Sequence, residues 1–533
     1  MSRLQRTART SPASLGAPLA IGLLGLVISL IGITVPSVWY DEAASIISAT
    51  RSWPQLWDEV GSVDAVHALY YALLHVIFDV FGYSPLTLRV PSAIAVGAAA
   101  ALLVVLVRRF SLPGDGQNRL AVLAGIVFCL LPRTTWMGTE GRTYALSATL
   151  AILLTLVLVR ATSGAASSVA SAALPSRRWW VLYAALVIVS CVMFIYLALV
   201  VVAHGLAMLL WWWSARQKQT RIADVARRFF VSAASAALLL SPFVYAVVSQ
   251  SGQLSWLKPL SSATLRQVLR DQWFYTSAAF AVVGLALLVA GIVVLGRQRR
   301  AASAQTALPL STVVWTIVVV PTVALLLLTV FVTPIYTPRY LAMCLPFVAI
   351  AIAAAIGALG SRRAPKWVMR PRFVQALALA LLVALALPQI VEQRGPLGKE
   401  SSSWAAVADL IAAERAADGP DTTTAIIYGG TQGHPSATAR VIAYSYPDAF
   451  DGTVDVTLDT PAFETGQLWE TEVALATRLD RVADADVVYL ITSLAEDRRP
   501  ATTAALAGAG FTLDEQWTLS KVHVLRYIPS AER

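Results

Sequence analysis

The sequence predicts a polytopic α-helical membrane protein carrying a C-terminal α/β domain on the far side of the bilayer. Three observations predict it. The 533 residues are 57% hydrophobic and only 14% charged, where soluble chains run about 45–50% apolar and about 25% charged. Eleven apolar runs are long enough to cross a bilayer, and basic clusters fall on every second loop between them. Beyond residue 390 the pattern changes to short β-type runs alternating with helical stretches.

The spans are expected at 17–36, 86–107, 119–134, 143–160, 179–195, 196–213, 229–249, 274–296, 311–332, 340–360 and 372–390. The stretch 179–213 is one continuous apolar run, too long for a single helix, so a tight turn is placed near Tyr196. The first run follows Arg3, Arg6 and Arg9 and has no clear small-residue cleavage site behind it, so it reads as an uncleaved span. The later inside segments hold Arg108, Arg109 and Arg119, then Arg160, Arg177 and Arg178, then Arg216, Lys218, Arg221, Arg227 and Arg228. Arg297, Arg299 and Arg300 follow, and Arg362, Arg363, Lys366, Arg370 and Arg372 close the series. This alternation places the N-terminus in the cytoplasm, and the Arg/Ala-rich composition without an organelle signal points to a plasma membrane. It also accounts for the net charge of +10 and the pI near 9.6 without any nucleic acid. Cys129, Cys191 and Cys344 lie in apolar runs with no metal spacing and read as core residues. The Ala/Ser stretch 161–176 reads as a flexible cytoplasmic loop.

Two domains are expected. Residues 1–390 form the transmembrane domain, with a first outer loop at 37–85, and residues 391–533 form a soluble extracytoplasmic domain. Strands are expected at 425–428, 486–491 and 522–527, with helices at 402–417 and 466–480.

The chemistry-bearing residues cluster on the expected outer face. Asp41 and Glu42 follow the first span directly. The plainer reading is a solvated helix end with acids in its first turn. The functional reading makes one a general base toward an acceptor hydroxyl, the other a positioning group or a cation ligand. Asp64 stands where a helix N-cap would stand, three residues before His67. A carboxylate beside an imidazole also suits a metal or a phosphate-bearing donor. Glu140 and Arg142 stand at the mouth of the fourth span, before Tyr144, and Pro338-Arg339-Tyr340 precedes the tenth. Outer arginines run against the positive-inside trend, so Arg133, Arg142 and Arg339 ask for an anionic partner such as a lipid phosphate. Arg89 reads as a residue snorkelling at a span end. The polar outer loop from Ser249 to Trp273 is long enough to act as a lid.

The order of these motifs resembles a known family. It runs from the acid pair through Asp64…His67-Ala-Leu-Tyr-Tyr and Leu88-Arg89-Val90-Pro91-Ser92 to Glu140-x-Arg142-x-Tyr144 and Pro338-Arg339-Tyr340. It is similar to the polyprenol-phosphate-sugar-dependent glycosyltransferases of the GT-C fold, in the branch of protein O-mannosyltransferases and aminoarabinose transferases. The resemblance covers most of the first 345 residues. It implies a GT-C-like helical domain in which Asp41, with Glu42 beside it, activates the acceptor. It implies that Asp64, His67, Glu140, Arg142, Tyr144, Arg339 and Tyr340 line the donor and phosphate site. Many members carry His-Pro-Pro where this chain reads Val66-His67-Ala68.

The function that follows is inverting transfer of a sugar, mannose by expectation, from a polyprenyl-phosphate donor to a glycan, lipid or protein acceptor. No cofactor is required by this reading. A divalent cation on Glu42, Asp64 and His67 stays open, because the leaving group is a monophosphate that basic side chains can serve. The alternative is a transporter or lipid flippase of envelope assembly. That class places ionisable residues near the bilayer midplane and repeats broken helices, and few mid-span charges occur here.

Overall fold

The computed structural model describes residues 15–110, 116–163, 176–215, 220–254, 256–301, 308–359, 371–432, 434–493 and 497–530. Outside the described residues lie most of the Ala/Ser stretch 161–176 and the basic positions Arg3, Arg6, Arg9, Arg216, Lys218, Arg362, Arg363, Lys366 and Arg370.

Among the described residues, eight helices are long and apolar enough to cross a membrane: Pro85–Val107, Tyr144–Thr162, Ile195–Ser214, Arg221–Ser249, Ala278–Gln298, Leu310–Phe331, Pro338–Ala358 and Arg372–Gln393. The other three expected spans coincide with shorter apolar helices, Gly16–Leu30, Gly116–Leu130 and Arg178–Met193. The chain is a multi-pass helical membrane protein. The turn expected near Tyr196 is present: Phe194 is extended at φ −159° and ψ 104°, and a 3-10 turn at Ile195–Leu197 leads into the helix from Ala198.

The chain divides into two compact units. One comprises Met1–Ile31 and Arg89–Val391, the other Gly32–Leu88 and Glu392–Arg533. The sequence grouped the first outer loop with the spans, whereas the structure gathers it into the unit that holds the C-terminal residues.

In the helical unit, Leu345–Ala358 is buried from Leu345 through Ile356. Its alanine-rich surface lets neighbours approach closely, the usual means of helix association where lipid removes the hydrophobic drive. At Gly291 the approach is tightest: a Cβ would lie 1.7 Å from the Ala351 carbonyl oxygen. His204 is buried in this unit and fully partnered, with Nδ1 2.9 Å from the Tyr183 hydroxyl and Nε2 3.1 Å from Thr155 Oγ1. That is a structural tie between three helices.

In the other unit, five strands form one sheet in the order 454–455, 424–428, 487–492, 522–529, 511–519. The first three are parallel and the last two pair antiparallel. Ala425, Ile427, Val488, Leu490 and Leu525 line its core with Leu506 and Phe511. The expected strands and the first expected helix, found at Trp404–Asp418, are present. The helix expected at 466–480 is not. That stretch runs through bends into 3-10 turns at Leu475–Thr477 and Leu479–Val482. The reason is Arg440, whose buried guanidinium reaches Glu470 at 2.8 Å and Glu472 at 3.3 Å. Residues two apart on a helix do not share a face, so both carboxylates meet one guanidinium only if the chain leaves the helix.

Candidate active site

A short helix, Tyr40–Ala49, begins directly after the extended residue Trp39 and carries Asp41 and Glu42 in its first turn. Its N-terminal end favours negative charge there. The acids are not solvated: Asp41 is 8% exposed and Glu42 0%. The plainer expectation of a wet helix end is therefore corrected. The chain entering the helix is fastened by residues of the same unit. Val38 N–H donates to the Tyr446 hydroxyl at 2.8 Å, Ser402 Oγ donates to the Val38 carbonyl at 2.6 Å, and Ala405 N–H donates to Ser37 Oγ at 3.1 Å.

Asp64 lies in this unit as well. It stands at φ +60° and ψ +23°, before the 3-10 turn Ala65–His67, and its side chain caps nothing. The N-cap expectation is corrected: the carboxylate instead accepts from the Tyr71 hydroxyl at 2.5 Å. Asp is among the few non-glycine residues that adopt this left-handed backbone, because its short polar side chain can hydrogen-bond locally. His67 is half-buried, its ring 5.7 Å from that of Tyr71. Tyr71 was missed from sequence. It lies seven residues after Asp64, the spacing of two helical turns, and that spacing was the available signal although Asp64 itself stands outside the helix.

Glu59 and Arg51 were missed too. Both are buried, with Arg51 Nε 3.0 Å from Glu59 Oε2. The Ser48 hydroxyl donates to Glu59 Oε1 at 2.7 Å, and Arg51 reaches the carbonyl oxygens of Gln467 and Leu468. Burial pushes the Glu59 carboxyl up to about 7, with Arg51 and Ser48 pulling the other way. The folded state therefore holds this proton more tightly than the unfolded chain. Its stabilisation is complete below the ordinary 4.5 and is lost as pH rises through about 7. The melting temperature of the wild type is expected to fall across that interval, and Glu59→Gln is expected to remove that part of the fall. A Glu59→Gln profile identical to wild type would contradict the assignment.

The remaining sequence-predicted residues sit in the helical unit. Glu140 and Arg142 are buried in the turn before the helix Tyr144–Thr162. Ser92 Oγ fixes that turn by donating to the carbonyls of Glu140 at 2.5 Å and Arg142 at 3.3 Å. Gly138 opens it where a Cβ would meet Ser29 Oγ at 2.4 Å. Tyr144 packs against Trp136 at 5.3 Å and Phe194 at 6.1 Å, and Phe194 also meets Tyr340 at 6.0 Å. Tyr340 stacks on Tyr196 at 4.6 Å. Arg133 lies between the rings of Trp136 and Tyr275, 4.8 and 4.9 Å from their centroids, and donates to the Asp271 carbonyl. Arg339 lies 5.5 Å from the Trp256 ring centre, on the long loop. Arginines and aromatic rings thus share one end of this unit. Arg89 is fully buried rather than snorkelling.

Among the described residues, no three His, Cys, Asp or Glu side chains are grouped to hold a metal ion. Glu42, Asp64 and His67 are not gathered into such a group.

No family model matches the sequence, and no curated protein does. Solved structures match along nearly its whole length. The crystal structure of ArnT from Cupriavidus metallidurans bound to undecaprenyl phosphate aligns with a TM-score of 0.53 at 14% identity, over 96% of this chain and 98% of that one. Its apo state aligns with a TM-score of 0.54 at the same identity and coverage. The chain has the GT-C fold. The arabinofuranosyltransferase AftD from Mycobacteria also aligns, at 16% identity over 99% of this chain and 42% of that one, but its TM-score of 0.42 carries no weight. On this GT-C fold, Asp41, Glu42, Asp64 and His67 belong to one unit, and Glu140, Arg142, Tyr144, Arg339 and Tyr340 to the other.

Proposed function

We propose that this chain is a membrane glycosyltransferase moving a sugar from a polyprenyl-phosphate donor to an acceptor hydroxyl on the extracytoplasmic face of the plasma membrane. The observation that carries the reading is the pair of adjacent carboxylates withdrawn from water in the first turn of a short helix, on a GT-C fold. The bound lipid of the ArnT structure, undecaprenyl phosphate, supports a polyprenyl donor.

Asp41 acts as general base and takes the acceptor proton as the acceptor oxygen attacks the anomeric carbon. The bond from that carbon to the phosphate oxygen breaks, the configuration inverts, and polyprenyl monophosphate leaves with the electron pair. Arg142 and Arg339 balance its charge, and Tyr144 and Tyr340 pack beside it. Asp64, His67 and Glu140 line the donor site. Mannose is the proposed sugar, and the N-terminus is cytoplasmic.

The test supplies radiolabelled polyprenyl-phosphate mannose, and separately a polyprenyl-phosphate pentose, to membranes with and without the chain. Label is expected to leave the lipid pool for a new product only where the chain is present, with mannose used faster. Equal donor consumption in both membranes overturns the reading. Faster use of the pentose overturns only the choice of sugar.

A further inference from the structure

The unit that carries the acids also carries a surface of aromatic side chains that the chemistry above does not use. The helix Trp53–Ser62 follows the acid helix. Its tryptophans Trp53 and Trp57 stand four residues apart on one face and stack at 6.3 Å, yet they are 39% and 55% exposed. The 3-10 turn Ala462–Glu464 packs against both this helix and the acid helix. It presents Phe463 at 45% exposure. A few residues on, Trp469 lies 5.2 Å from Tyr40, the neighbour of Asp41, and both rings are half-exposed. Each of these rings carries some 150–250 Å² of surface that folding normally hides. Several left open on elements that touch one another mark a recognition surface.

Charge decides what the surface takes. No Lys or Arg occurs from 52 to 88 or from 461 to 477. Exposed Asp58, Glu464 and Gln467 stand among the rings instead. Segments that lie on anionic lipid, or grip phosphorylated glycolipid, set basic side chains beside their aromatics. Rings flanked by carboxylates and amides suit an uncharged carbohydrate. The apolar C–H faces of sugar rings stack on the indoles, and the hydroxyls donate to the acids.

We propose that this surface binds a neutral glycan chain and delivers its end to Asp41. The acceptor is then an uncharged saccharide rather than an anionic lipid. Only the delivery step rests on the glycosyl-transfer reading, since binding requires no transfer.

The experiment uses the full chain in nanodiscs containing anionic phospholipid, without donor. Neutral mannan, galactan and arabinan fragments are titrated and followed by tryptophan fluorescence and by retention on the immobilised polysaccharide. At least one fragment is expected to bind. Trp57→Ala and Phe463→Ala are expected to weaken that binding at least tenfold. Binding by none of the fragments overturns the proposal, as does binding that both substitutions leave unchanged. Quenching by brominated acyl chains that disappears in Trp57→Ala would place the surface in lipid and overturn it as well. Fragment binding, together with equal donor consumption by membranes with and without the chain, would leave the glycan site standing and remove the transferase.

Discussion

Asp41→Asn is expected to lower transfer from the polyprenyl-phosphate donor by about 10²–10⁴-fold, the range a positioned acid or base supplies, with protein level and donor binding unchanged. The substitution keeps the shape of the side chain in the first turn of the helix Tyr40–Ala49 and removes only its ability to take a proton. Glu42→Gln separates the two acids. Glu42 is wholly buried beside the base, and as the group that positions the acceptor it is expected to give a smaller loss with a raised acceptor KM. The measurement is initial rate against acceptor concentration in membranes, with immunoblotting for protein level. Undiminished transfer by Asp41→Asn would remove it as base. A larger loss in Glu42→Gln would move the role by one residue.

Arg51→Ala is expected to destabilise the unit that carries the acids by about 3–5 kcal/mol, the usual cost of leaving one partner of a buried ion pair alone. The substitution strips Glu59 of a partner 3.0 Å away and frees the carbonyls of Gln467 and Leu468. The deficit should grow with pH, because the wild-type Glu59 charge that forms above about 7 is balanced by Arg51 and has no counterion in the variant. Hydrogen exchange is expected to quicken together in 40–64 and 462–472, since Arg51 ties these stretches. The double variant Arg51→Met with Glu59→Leu should recover most of the stability, because a buried pair replaced by apolar groups of similar volume is often neutral or better. A melt of Arg51→Ala indistinguishable from wild type would show that the pair contributes nothing.

The membrane architecture was legible because two signals of different origin agreed. Run length is set by bilayer thickness and the spacing of basic loops by the number of crossings, and neither needs tertiary contacts. The strands at 424–428, 487–492 and 522–529 were legible for a similar reason, being short β-branched and aromatic runs between turn residues. The helix expected at 466–480 failed because its periodicity competed with an ion cluster around Arg440, a partner about thirty residues away in sequence. Glu59 was passed over although it sits between Leu56 and Val60 on the buried side of its helix, where an acid is out of place.

By itself the sequence determined the apolar helical runs, the sheet strands and which residue types stand in the loops between those runs, because these follow from solvent partition and local periodicity. Only the tertiary structure decided that residues 32–88 fold with 392–533, that Asp41 and Glu42 are withdrawn from water, and that Asp64 is held by Tyr71 in a left-handed turn. Those outcomes depend on pairings such as Val38 with Tyr446 and Arg51 with Gln467, separated by more than 400 residues. Hydropathy and period are properties of a window a few turns long, and carry no information about which distant surface will exclude the water around a carboxylate.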